Sequence, residues 1–167
     1  MTAALLKVGA HQLSSYNTHV PISTIHEQVR SLFKFAFVRN PWDRLWSMYK
    51  FTMKRGWIAP DMIFDDWVQS SWATEACEYQ TPVVPITQKP QMDWISVDGA
   101  IVIDYVGRYE NVVDDFSEIC NRIGVTLSLP HINSTPSSDY RKVYTDFSSD
   151  FVSHHYKKDI EAFDYEF

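Results

Sequence analysis

Apolar and polar positions alternate in two regimes along the chain. Around residues 21–32, Pro21 is followed by Ile22, Ile25, Val29 and Leu32 at three- to four-residue spacing, which predicts a helix. Phe33, Phe35, Phe37 and Val38 then follow a two-residue period that runs into continuous apolar character, as in a largely buried strand. The pattern switches back to helical spacing with Trp42, Leu45, Trp46 and Tyr49, behind an explicit start signal: Asn40 as N-cap, Pro41 at the first helical position and Asp43 three residues past the cap. Phe64, Trp67, Val68 and Trp72 predict a further helix behind Asp65-Asp66, and TPVVPITQKP over 81–90 reads as a surface loop. AIVIDYVGRYEN over 100–111 reads as a strand ending at Gly107. Asn111 then caps a helix carrying Val112, Phe116, Ile119, Cys120 and Ile123, closed by Gly124. A turn-rich stretch follows, and a last helix is expected from Phe147 to Lys158, ending on two lysines.

Strand-to-helix units of this kind predict an α/β fold: a short, mainly parallel sheet flanked by helices. At 167 residues, 45% of them hydrophobic, the chain is expected to form a single domain over 1–167, with residues 1–16 given no firm element. A net charge of −6 argues against wrapping nucleic acid, while leaving room for a local basic pocket that holds one small anion. Cys77 and Cys120 have neither disulfide-framework nor zinc-site spacing, and His154-His155 lacks the spacing that puts two imidazoles on one helix face, so no metal is expected. No apolar run approaches the roughly 18 residues of a membrane span and no signal peptide is evident, which gives a soluble, cytoplasmic chain as the expectation, with a membrane-anchored or luminal protein as the alternative if the sequence is a fragment.

The informative chemistry sits at the first strand-to-helix junction. Arg39 stands at the C-terminal edge of a buried strand, where open α/β sheets bind ligands. Its guanidinium can fork a phosphate while the adjoining helix start favours negative charge. Ser47, four residues after Asp43, shares its helix face and can add a hydroxyl donor. From the residues alone a second reading stays open, in which Arg39 pairs with a carboxylate and Ser47 is a small packing residue.

FAFVRNPWDRLWSMY closely resembles the 3′-phosphate-binding segment of the family 2 type sulfotransferases, which includes carbohydrate sulfotransferases and bacterial relatives. The resemblance continues through DYVGRYENVVDDFSEICNRIGV, LPHINSTPSSDYRKVYTD and HHYKKDIEAFDYEF, covering roughly 17–167. It implies a fold like that of phosphate-loop nucleotide-binding proteins. It also implies 3′-phosphoadenosine 5′-phosphosulfate as sulfuryl donor, a carbohydrate or similar hydroxyl-bearing acceptor, and no metal. It assigns Arg39 and Ser47 to the donor's 3′-phosphate, and Tyr140, Arg141 and Lys142 to a loop over the nucleotide. His19, some twenty residues before Arg39, becomes the candidate base for the acceptor hydroxyl; a surface histidine is the alternative. Asp43 and Arg44 are expected to be structural, as is Trp42, and Arg108 with Glu110 is expected to brace the sheet.

One family feature is not evident. The usual opening strand and loop of the form PKTAGTS, whose amides and lysine hold the 5′-phosphosulfate, has only an echo in Lys7-Val8-Gly9-Ala10. The expectation is an N-terminally truncated member. Two alternatives to an active sulfotransferase follow: a non-catalytic module that binds the nucleotide or another partner, and a structural protein whose uncovered strand drives homo-oligomer formation.

Overall fold

A computed structural model of the chain describes residues 21–23, 27, 31–69, 89–129 and 139–167. These fall into two compact units. One contains the described residues up to Arg39 together with those from Asp93 to 129; the other contains those from Asn40 to Met92 and from 139 to Phe167.

The first unit is built on a parallel pair. Strand β1 (Phe35–Val38) pairs with a second strand at Tyr105–Arg108, in the register Phe35↔Tyr105 to Val38↔Arg108. Lys34 sets that register from one end: its N–H donates to the Asp104 carboxylate at 2.7 Å, its ammonium reaches the same oxygen at 2.8 Å, and Asp104 N–H returns a bond to the Lys34 carbonyl. Phe37 packs with Phe116, Cys120, Val125, Leu127 and Leu129, so the alternating run has one face on a core.

The strand expected over 100–107 is in fact two strands. Residues Ser96–Val97 (β2) and Ala100–Ile101 (β3) form a short antiparallel hairpin across Asp98-Gly99, both at positive φ, and the parallel strand (β4, Tyr105–Arg108) starts afresh and ends one residue beyond Gly107. The four-residue helix Met92–Ile95 (α3) leads into that hairpin. The Asn111 cap is also corrected. The chain leaves β4 through a 3₁₀ turn, Tyr109–Asn111, and Asn111 makes no side-chain cap bond to the helix that follows, α4 (Val112–Arg122). Gly124 does close α4 as expected. At φ +72° it allows Val125 N–H to reach the Cys120 carbonyl and its own N–H to reach that of Asn121.

In the second unit, α1 (Pro41–Lys54) starts where the sequence places it and ends by the same glycine device, with Gly56 at φ +67°. Helix α2 (Phe64–Gln69) follows. The last helix is split: α5 (Asp146–His155) opens with a Thr145/Ser148 capping box, the chain bends at Tyr156, and α6 (Lys157–Phe163) begins at the lysines expected to close a helix. Leu45, Trp67, Val68, Val152 and Tyr156 are fully buried. Upstream, Ile22, Ser23 and Glu27 are helical, in keeping with the helix expected over 21–32, and Ser31 is in a turn.

Candidate functional site

In the first unit, Val38 and Arg108 are the last register pair of the parallel strands, so Arg39 and Tyr109 emerge side by side at the C-terminal end of the sheet. The Arg39 guanidinium lies over the Tyr109 ring, 4.3 Å from its centroid, half-buried. At that distance the ring's negative face attracts the cation. Tyr109 was not foreseen, though an aromatic residue directly after the strand in GRYEN was the available signal. Asp115, a carboxylate that was not foreseen, accepts both the Tyr105 hydroxyl and the Arg108 N–H. Burial and that carboxylate together raise the Tyr105 pKa.

The second unit carries the start of α1. Asn40 Oδ1 accepts the N–H groups of Trp42 (3.1 Å) and Asp43 (3.4 Å), Pro41 has none to offer, and Arg44 N–H is bound to the Asn40 carbonyl. Every amide of the first turn is therefore engaged within the chain. This helix start therefore offers an anion the helix dipole and side chains rather than free N–H groups. Ser47 is part-exposed on α1.

Arg44, expected to be structural, makes its described contacts within the second unit. Its guanidinium donates to the Lys89 carbonyl at 3.4 Å and lies 5.6 Å from the Tyr156 ring centroid. Beside it is Asp159, wholly buried, which accepts Gln91 N–H (2.7 Å), Gln91 Nε2 (3.2 Å) and Met92 N–H (2.8 Å). Burial raises the Asp159 pKa; the amide donors and Arg44 oppose it. Burial also takes the Tyr156 phenol up to about 12, with Arg44 pulling the other way. Sequence reading passed over Asp159 because a lone acid among helical residues normally faces water.

Tyr140, Arg141 and Lys142 form a 3₁₀ turn opened by Asp139, whose carboxylate accepts Arg141 N–H. Tyr140 is buried against Tyr144 and Phe167, Arg141 stacks on the Tyr140 ring at 4.6 Å, and Lys142 is exposed with Asp139 3.9 Å away. Tyr144 anchors the turn to α1, its hydroxyl donating to the Trp42 carbonyl at 2.7 Å, and burial raises its pKa well above the ordinary phenol value. The second unit thus brings the turn 140–142 next to the start of α1. Trp42 is core, with its indole N–H on the Ser149 carbonyl. His19 and Lys7 to Ala10 lie outside the described residues.

The sulfotransferase family model (Sulfotransfer_2) matches residues 5–166, nearly the whole chain. The chain belongs to the sulfotransferase family. An uncharacterized protein of Archaeoglobus fulgidus is 27% identical to this sulfotransferase over 110 residues, covering 65% of this chain and 82% of the relative. No solved structure matches it. Among its described residues no group of three or more His, Cys, Asp and Glu side chains could hold a metal ion, and no helix is long and apolar enough to cross a membrane.

Proposed function

We propose that this sulfotransferase takes its sulfuryl group from 3′-phosphoadenosine 5′-phosphosulfate and gives it to a hydroxyl of a carbohydrate or similar acceptor. The observation that carries the reading is Arg39, its guanidinium over the Tyr109 ring at the C-terminal end of the parallel strands and directly before Asn40-Pro41 in the sequence. A 3′-phosphate at this junction needs a fixed bidentate cation, and Arg39 supplies one. Ser47 adds a hydroxyl from α1, and Arg141 and Lys142 add positive charge over the nucleotide. In a chain of net charge −6, individual cations such as these carry the attraction for a phosphorylated nucleotide.

The donor supplies an activated sulfuryl group with a stable leaving phosphate. His19 is assigned as the base. It takes the proton of the acceptor hydroxyl as that oxygen bonds to sulfur and the sulfur–oxygen bond to the 5′-phosphate breaks, leaving 3′-phosphoadenosine 5′-phosphate. Arg39 and Ser47 hold the end of the nucleotide remote from sulfur, so their binding energy goes into orientation.

The test is a calorimetric titration with 3′-phosphoadenosine 5′-phosphate, beside adenosine 5′-monophosphate. Binding is expected to depend on the 3′-phosphate and to weaken about 10- to 100-fold in Arg39→Ala, the range for losing hydrogen bonds to a charged group. Equal affinity for the two nucleotides, or an indifferent Arg39→Ala, would overturn the assignment.

A further inference from the structure

We propose that Phe167, with the carbonyl of Glu166, is a latch that positions the turn Tyr140–Lys142 against the first turn of α1. The inference rests on the reading above, in which that turn covers the nucleotide. Phe167 is accordingly a positioning residue: it acts on the donor through Tyr140 and Arg141.

The geometry is a convergence of three rings, from two chain segments, on one aromatic side chain. Phe167 lies 5.6 Å from Trp42, 5.5 Å from Tyr144 and 6.0 Å from Tyr140, centroid to centroid, in tilted or edge-on arrangements. Asn40, the residue that caps α1, donates from Nδ2 to the Glu166 carbonyl at 2.8 Å and so fixes the backbone that carries the ring. Phe167 is 44% exposed, so filling the interior is not its main work. It sits where the α1 start and the 140–144 segment meet. Edge-to-face contacts have a preferred geometry that an aliphatic side chain does not reproduce.

The path to the ligand is short. Tyr144 has its own tether, the hydroxyl bond to the Trp42 carbonyl. Tyr140 lies four residues earlier, edge-on to both Tyr144 and Phe167, and carries Arg141 stacked on its ring. Taking away the Phe167 ring removes one wall from Tyr140 and frees the tyrosine–arginine stack to swing, while the Tyr144 anchor remains.

The experiment compares amide hydrogen exchange in the unliganded full chain for wild type, Phe167→Ala, Phe167→Leu (bulk without a ring) and Phe167→Tyr (ring retained). The amides of Arg141, Lys142 and Val143 are expected to exchange about tenfold faster in the Ala and Leu variants and to return towards wild type in Phe167→Tyr. Trp67 and Val68 in α2 should be unmoved. Unchanged exchange in the turn, or an equal rise in α2, would overturn the latch. Affinity for 3′-phosphoadenosine 5′-phosphate is then expected to fall about 5- to 10-fold in Phe167→Ala, with little further loss when Arg141→Ala is already present. A loosened turn with unchanged affinity would overturn the positioning role. A wild-type chain that does not bind the nucleotide would sink the donor assignment instead, and the exchange comparison would still decide the latch.

Discussion

Asp159 has no exposed surface, and its two oxygens receive three N–H groups from Gln91 and Met92. Together with the Arg44 guanidinium on the Lys89 carbonyl, it fastens residues 89–92 within the second unit. Two effects act on its charge in opposite senses: burial disfavours the carboxylate, whereas the amides and Arg44 favour it, and burial wins. The folded state therefore binds the Asp159 proton more tightly than the unfolded chain does. By linkage, this residue's contribution to stability is greatest below the ordinary aspartate range and falls as pH rises towards its raised folded value. Asp159→Asn cannot ionise and offers one acceptor oxygen where two are used, so it is expected to cost about 1–3 kcal/mol. The margin of wild type over the variant should be widest in acid and narrow with rising pH. Urea denaturation of both proteins from pH 4 to 8 measures it; a margin that widens with pH would show that the donors and Arg44 outweigh burial.

At the scale of elements, the parallel pair depends on a missing side chain. Gly107 is opposite Phe37, and a Cβ there would stand 2.8 Å from Cε1 of the Phe37 ring. That ring has little room to retreat, because it packs against Phe116 and Cys120 and meets Phe35 edge-on. Gly107→Ala is expected to destabilise by about 1–3 kcal/mol, the usual cost of overpacking, and to cost clearly less in a Phe37→Leu background. Equal cost in both backgrounds would place the strain elsewhere. What could be read from sequence follows the same local logic. The α1 start was legible because Asn40 and Pro41 act within one turn of chain, and the end of α4 because Gly124 has a backbone reason to be glycine. The hairpin at 96–101 was missed because the apolar AIVI hid the Asp98-Gly99 turn just before it. The break at Tyr156 left no trace in the periodicity. Val152, Tyr156, Asp159 and Phe163 are all buried and keep helical spacing straight through it. Among the candidate positions, Arg39, Ser47 and the 140–142 turn were visible as motif residues. The contacts of Tyr109, Asp159 and Phe167 were not, since they join residues distant in sequence or across the strand end.

For the molecule as a whole, each compact unit draws on two separate stretches of chain, which passes between them after Arg39, after Met92 and again between 129 and 139. Arg39 belongs to the first unit, and Ser47 with Arg141 and Lys142 to the second. A nucleotide that binds only the folded chain reports on global stability as well as on local contacts. A ligand at 100 times its dissociation constant stabilises the folded state by about 2.7 kcal/mol. In a domain of this size each kcal/mol moves the melting midpoint by about 2–4 °C, so 3′-phosphoadenosine 5′-phosphate should raise it by about 5–11 °C. Adenosine 5′-monophosphate at the same concentration should do much less, because it lacks the 3′-phosphate assigned to Arg39. The shift should also shrink with added salt, since Arg39 is half-exposed and its attraction for phosphate is partly screened. Because no metal is assigned to the grip, EDTA should leave it unchanged. Differential scanning fluorimetry of wild type and Arg39→Ala, with each nucleotide and with or without chelator, measures all of these. A shift of equal size for both nucleotides would mean that the adenosine and 5′-phosphate alone are held. A shift abolished by EDTA would mean that a cation shares the phosphate with Arg39.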